Sequence, residues 1–258
     1  MLLLPLILAA WPFDSHSLQN AELPPQPQPQ AAKVKLKKIR VAVDAGHGYA
    51  DNTGNIGGHC QREMDHTLVV ADFLADALEK TGRFEVMRSR VGNALPRYQT
   101  RIAAIEKWKA DVVISIHSDA RGLATPVEQG DGGVCWQNPD EPGFSVLWND
   151  EGPSFPARQK LGRAVGSRLR DAGFVEYSGV NYADLYTQDP VEPSGWIDKR
   201  PLKKRVYFLR ASKIPTVIIE THHALDVTEV ARWDEPKTFD AFSAAVAAAI
   251  LDFAQPAK

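Results

Sequence analysis

The chain has 258 residues, 44% hydrophobic and 24% charged, with a formal net charge of −2. This is the composition of an ordinary soluble globular protein, of a length that allows one large domain or two small ones. No Arg- or Lys-dense stripe with interleaved aromatics is present, so nucleic acid is not an expected partner.

In chain order, Met1 to Ala10 reads MLLLPLILAA. That stretch is too short to span a bilayer but has the size of a signal-peptide core, although it lacks the usual basic residue near its start. Residues 1–22 are therefore expected to be a signal peptide and the start of a linker. Residues 23–36, opening LPPQPQPQAA, cannot bury apolar area and form a Pro/Gln-rich linker. A single folded domain is expected over 37–258. Its first basic run, KVKLKKIR, reads as a solvated edge leading into a strand.

The folded region alternates strand and helix. Arg40 to Asp44 is an apolar strand followed by a Gly-rich loop. Asp65 to Lys80 carries Leu68, Val69, Phe73, Leu74, Ala77 and Leu78 at helical spacing. Phe84 to Arg88 is a strand, Arg97 to Lys109 a helix, and Asp111 to His117 a strand. Gly132 to Trp136 is expected to be a strand, Ala157 to Ala172 a helix, Val206 to Leu209 and Thr216 to Glu220 strands, and Phe239 to Phe253 an Ala-rich helix. Arg121 to Pro156 and Glu176 to Arg205 lack a sustained period and read as long loops or small excursions, and loops that long in a compact domain are usually functional. The alternation predicts an α/β fold: one domain, a mostly parallel twisted sheet, helices on both faces.

Three of these strands end in groups suited to a metal. Val41 to Ala45 runs into Gly46-His47-Gly48, Val112 to Ile116 into His117, and Thr216 to Ile219 into Glu220. An open α/β sheet places its ligand site at the carboxyl ends of such buried strands. Two imidazoles and a carboxylate on one sheet edge suit a catalytic zinc, which takes three protein ligands and keeps a fourth position open. Glu63 ends the Gly-rich loop. It is placed either to complement a helix N-terminus or to join the site, and His59 and His66 are rival ligands nearby. Glu220, at the end of an apolar strand, is costly to ionise unless a cation or a proton-transfer role compensates. Cys60 and Cys135 are the only cysteines and are either paired or free.

The segments VAVDAGHG, REMDHTL, RIAAIEKWKADVVISIHSDA and FLRASKIPTVIIE together resemble the zinc-dependent N-acetylmuramoyl-L-alanine amidases, the catalytic domains of bacterial cell-wall hydrolases. The resemblance runs over nearly the whole folded region, with four motifs in order. It implies that His47, Glu63 and His117 hold one zinc ion and that Glu220 is the catalytic acid/base. It implies a substrate too: the amide between the lactyl group of N-acetylmuramic acid and the first L-alanine of a peptidoglycan stem peptide. The enzyme would then be exported to the periplasm or secreted, act as a monomer, and keep no membrane span after processing.

The chain departs from the family after Glu220, where it reads Thr221-His222-His223 instead of Gly, an aromatic and a Ser-Asn pair. His222 could tune Glu220, contact the oxyanion, join a second ligand set or fill space. His222, Arg101 and Trp136 are the candidate substrate contacts, and at least one of Trp136, Trp148, Trp196 and Tyr186 is expected to line the groove. Asp140 to Pro156 is too rich in Pro and Gly for an inhibitory helix, so an open site is expected. Two other activities share these residues in whole or in part: a zinc amidohydrolase of the same fold acting on a small N-acyl amino acid, and a non-catalytic cell-wall binder.

Overall fold

Strand β1 (Ile39–Ala45) shows how the layers arise. Its side chains alternate: Val41, Val43 and Ala45 enter one apolar cluster, and Ala42 enters another on the opposite face. A strand buried on both faces needs helices on both, and the chain supplies them. The computed structural model describes residues 37–255 except 50, 129–132 and 153. The leader and linker expected over 1–36 lie outside the described residues.

Around β1 lie β2 (Phe84–Arg88), β3 (Val112–Asp119) and β9 (Thr216–His223), all parallel. Helices α1 (Glu63–Lys80), α3 (Phe155–Asp171) and α6 (Pro236–Ala254) cover one face through Leu74, Leu78, Leu161, Val165, Val246 and Ile250. Helix α2 (Tyr98–Trp108) and the short α4 (Tyr207–Ala211) cover the other with Ile102, Ile105 and Phe208.

The sheet continues past β9 through β6 (Ser145–Asn149), β8 (Gly195–Asp198) and β7 (Thr187–Gln188), giving the order β2-β1-β3-β9-β6-β8-β7. Strand β6 runs antiparallel to β9, β8 parallel to β6, and β7 antiparallel to β8. Four of the six pairings are thus parallel, as the alternation of elements predicts. A separate antiparallel hairpin, β4 (Thr125–Glu128) with β5 (Val134–Gln137), stands outside this sheet. A short helix α5 (Val227–Arg232) follows β9, capped by the Asp226 carboxylate, which accepts from the backbone N–H of Thr228 and Glu229.

Two expectations are corrected, and a third is placed. Val206 to Leu209 is not a strand: residues 207–211 form α4, where burial of Phe208 and Leu209 against the sheet outweighs the aromatic and β-branched bias of the segment. The strand expected near Trp136 is present as β5, in the hairpin outside the main sheet. The two supposed loops contain β4 to β8, and β6 is buried along its whole length.

Cys60 and Cys135 form a disulfide with a Cα–Cα distance of 5.1 Å. It fastens the Gly-rich loop between β1 and α1 to the hairpin.

Candidate metal centre

The site grows from a strained turn at the end of β1. His47 has φ +60°, a left-handed conformation uncommon for a side chain with a Cβ, so its surroundings must hold it there. Arg101 does so. Its guanidinium, fully enclosed, pairs with Asp44 at 3.2 Å and donates to the carbonyls of Ala45 (2.7 Å), His47 and Gly48. Tyr98 Oη accepts from the His47 backbone N–H. Every strong contact of Arg101 is thus internal, and the expectation that it binds substrate is wrong: a buried cation already paired with a carboxylate and four carbonyls, Pro96 included, has no donor to offer a ligand.

Three side chains from three elements meet in front of this turn. His47 Nε2 and His117 Nδ1 each lie 3.0 Å from Glu63 Oε1 and 3.1 Å from one another. His117 lies two residues before the end of β3, in register with Glu220 on β9, just before the pairing of the two strands becomes irregular. Glu63 opens α1 and is brought in by the Gly-rich loop. A Cβ on Gly54, at φ +76°, would stand 2.5 Å from both Cβ and Oε2 of Glu63; a Cβ on Gly46 would stand 2.5 Å from the His117 ring. Only glycine lets the two ligands come this close to the backbone.

The chemistry of the donors points to a cation. Asn52 Oδ1 lies 2.5 Å from His47 Nδ1, so that nitrogen carries the proton and Nε2 presents a lone pair. The Glu63 carboxylate also accepts at Oε1 from the backbone N–H of Ser118 and at Oε2 from the backbone and side-chain N–H of Asn55. Its second oxygen is therefore occupied and its first faces the histidines. The 3.0–3.1 Å separations are close to the roughly 3.4 Å between ligands in a tetrahedral zinc site with ~2.1 Å bonds. Among the described residues, His47, Glu63 and His117 are the one group of three or more His, Cys, Asp and Glu placed to hold a metal. Burial would raise the Glu63 pKa, but the His117 and His47 imidazoles beside Oε1 outweigh it and hold the carboxyl well below the usual range. The same carboxylate raises His47 above its ordinary value in spite of burial.

A cleft of about 420 Å³ opens over this group. One half of its lining is polar: His47, Asn52, Asn55, Glu63, His117, Ser118 and Asp119. The other half, past Glu220, is Leu147, Tyr186, Val206 and Ile218. Glu220 sits between the halves. Its pKa is raised well above the carboxylate range by burial first and by the Asp119 and Glu63 carboxylates next, with Arg121 opposing. A carboxyl that binds its proton more tightly than an ordinary glutamate is suited to take a proton and return it near neutral pH. Arg121 is itself held in place, stacked 3.8 Å over the Tyr177 ring and paired at 3.0 Å with Asp119.

The remaining candidates fall elsewhere. His66 and His59 line a water-sized cavity of about 10 Å³ behind Glu63, and burial pushes the His66 pKa down to about 4. His222 faces the same cavity, 4.7 Å from the His66 ring and stacked on Trp233 at 5.8 Å. Buried in this aromatic layer, it does not line the cleft, and the expectation of a substrate contact is corrected. His223 is also enclosed, its backbone N–H donating to Glu229. Trp136 lies on the hairpin and likewise does not line the cleft, while Trp148 and Trp196 are core residues. Of the four aromatics, Tyr186 alone reaches it. Sequence reasoning missed Asn52, Asn55 and Tyr98; the only signal for them was their position in or beside the Gly-rich segment and at the start of α2.

Residues 41–252 match the family described as N-acetylmuramoyl-L-alanine amidase. The amidase AmiC of Escherichia coli O6:H1 is 32% identical over 212 residues, covering 74% of this chain and 47% of that protein. The chain thus spans about half the length of that relative. Among solved structures, the amidase of Mycobacterium smegmatis superposes with a TM-score of 0.64 at 17% identity, covering 83% of this chain and 96% of that one. The AmiC2 amidase of Nostoc punctiforme does so at 0.62 and 20% identity, covering 85% and 99%. At these identities the structures show a shared fold.

Proposed function

The chain belongs to the N-acetylmuramoyl-L-alanine amidase family, and from that premise we propose that it hydrolyses the amide joining N-acetylmuramic acid to the L-alanine of peptidoglycan stem peptides. His47, Glu63 and His117 would hold one zinc ion. The observation that carries the reading is the convergence of two imidazole nitrogens and one carboxylate oxygen within 3.1 Å, in a cleft that also presents Glu220. When bound, zinc supplies a Lewis acid for the scissile carbonyl and lowers the pKa of water toward ~7.

The chain's own residues do the rest. Asn52 and Asn55 fix the tautomer of His47 and the orientation of Glu63. Glu220 takes the proton of the attacking water and gives it to the leaving amine, a task its raised pKa suits. The Arg101 clamp keeps His47 in its strained turn.

A small N-acyl amino acid would call for an enclosed pocket with a fixed arginine for its carboxylate. Here the cleft is open, and no arginine is among the described residues that line it. A polymeric substrate fits better. The complete set of ligands and acid/base argues against a non-catalytic binder.

The reading includes export to the periplasm or beyond, loss of the leader, and action as a monomer. The apolar start of the chain supports it, as does the disulfide, since disulfides persist in oxidising compartments. Among the described residues no helix is long and apolar enough to cross a membrane.

Purified protein loaded with zinc and incubated with isolated peptidoglycan should release stem peptides bearing new L-alanine amino termini, without new reducing sugar ends, and chelation should stop the release. Reducing ends in place of amines, or no release at all, would overturn the proposal.

A further inference from the structure

Four side chains beside Glu220 form a built apolar shelf. Ile218 precedes Glu220 by two positions on β9, so both point to the same face, and Leu147 on β6 is the register partner of Ile218. Tyr186 and Val206 pack against this pair and complete the apolar half of the cleft.

The shelf is held from behind by one buried carboxylate. Asp198, fully enclosed, accepts two hydrogen bonds of 2.9 Å from Arg200, whose guanidinium lies 4.9 Å from the Tyr186 ring centre. It also accepts from the backbone N–H of Arg200, at 3.2 Å, and of Val206, at 2.8 Å. Tyr182 braces the opposite side of the Tyr186 ring, edge-to-face at 4.9 Å. Its hydroxyl is bonded to Ser145 and Asp119. Side chains locked in this way present a fixed surface, which is what selectivity between similar ligands requires.

Position along the sheet edge decides what the shelf meets. The strands run β1, β3, β9, β6, so the order is His47, His117, Glu220, with Leu147 on the next strand beside Ile218 of β9, and the loop residues Tyr186 and Val206 packed against that pair's cluster. If Glu220 protonates the amide nitrogen, that nitrogen leaves toward it, and the amino acid carrying the nitrogen extends away from the three ligands. It must then lie over the half-buried Tyr186 and Val206, backed by the buried Leu147 and Ile218. The acyl side falls on the polar half, among Asn52, Asn55 and Tyr98.

We propose that this shelf is the subsite for the amino acid whose nitrogen is released, that it receives an apolar side chain there, and that Tyr186 is the residue that sets the preference. The proposal rests on the amidase reading and adds a side, a chemical class and a residue to it.

Two synthetic muramoyl peptides that differ only in the first residue, L-alanine or glycine, test it with zinc-loaded protein. Wild type should favour L-alanine by roughly tenfold in kcat/KM, the low end of what one methyl group contributes in a fitted pocket. Tyr186→Ala should raise KM for the L-alanine substrate about 5–10-fold with kcat within about twofold, and should bring the ratio below about 3. Tyr186→Phe, which keeps the ring, should stay close to wild type. Should Tyr186→Ala fail to fold, Val206→Ser places a hydroxyl on the same shelf and should lower the ratio as well. Equal weakening of both substrates, or a ratio unmoved in the folded variants, overturns the subsite while leaving the amidase reading intact. Wild type that carries zinc and cleaves neither substrate overturns both.

Discussion

The two halves of the seven-stranded sheet are held by different forces. In β1, β3 and β9 the strands are aliphatic and buried on both faces, packed largely by Val, Ile, Leu and Ala from the helices; the Asp44–Arg101 pair is the fully enclosed charged exception, and the half-buried edge strand β2 adds Arg88, paired with Asp72, Asp76 and Glu79 of α1. In β6-β8-β7 aromatics fill the core and charged groups tie the chain. Asp189 is bound by Arg163, Glu192 and Asp198 are bound by Arg170 and Arg200, and Arg205 is paired with Asp150 and Glu151. The first half carries the two histidines of the proposed metal site near its strand ends; the second supplies one wall of the cleft. A rigid apolar scaffold holds atoms to be placed within tenths of an ångström, whereas arginine–carboxylate forks fix irregular segments whose backbone follows no repeat. Division of labour of this kind leaves separable signatures.

The largest should come at the border. Glu220 belongs to β9 of the first half but pairs across to Ser145 of the second. Glu220→Gln keeps shape and volume, so fold and metal content should be retained while turnover falls roughly 10²–10⁴-fold through lost proton transfer. Near-normal turnover with zinc retained would remove Glu220 from the chemistry and the border with it.

Next comes the staple between the Gly-rich loop and the hairpin. Cys60 and Cys135 are 75 residues apart, and removing a native cross-link costs about 2–5 kcal/mol, toward the upper end for so long a loop. Replacing both by Ser should lower the melting temperature by roughly 5–15 °C at this chain length. A change under about 2 °C in calorimetry would show that hydrogen bonds alone hold the loop, such as Gly58 N–H to Ala224 and the Gln137 side chain to Gly58.

These two halves also differ in how legible they were. VAVDA, VVISIHS and TVIIE announce buried parallel strands because nothing else buries such runs, and the residues after them mark the site. SVLWN in β6 is as buried, yet it is five residues long, sits among Pro, Gly and Asp, and pairs only with strands distant in sequence. No local period can reveal that. Arg101 reads as a free cation because its partner Asp44 lies 57 residues away. Glu63, by contrast, drew notice through the glycines before it, and Gly54 and Gly46 show why they are needed.

Those glycines allow a finer cut. Gly54 and Gly82 both adopt positive φ, +76° and +70°, so alanine strains the backbone at each. A Cβ at 82 meets nothing within 4 Å, while one at 54 would press on Glu63. Gly54→Ala should therefore weaken zinc binding roughly 10–100-fold, as loss of ligand support does elsewhere. Gly82→Ala should cost only about 1 kcal/mol of stability and leave zinc untouched. Chelator competition measures both, and equal affinities in the two variants would refute the steric account.

The smallest effect separates the halves by pH. Asp189 and Asp198 are buried, which alone would raise their pKa values, but hydrogen bonds from Arg163 and Arg200 and from backbone N–H groups lower both instead. A carboxyl whose folded pKa lies below its unfolded value near 3.9 stabilises the fold fully above that unfolded value, and the contribution drains away as pH falls through the folded pKa. Between about pH 4 and pH 2 the β6-β8-β7 half should therefore loosen before the aliphatic half does. Hydrogen exchange corrected for its intrinsic pH dependence should show protection of Gly195–Asp198 falling while that of Val41–Ala45 and Val112–Ile116 persists. Asp198→Asn should loosen Gly195–Asp198 already at pH 7 and flatten its acid response, because the amide cannot titrate. If both halves lose protection together in acid, the charged forks are not what distinguishes them, and the aromatic cluster of Tyr177, Tyr182 and Trp196 would have to be the common support.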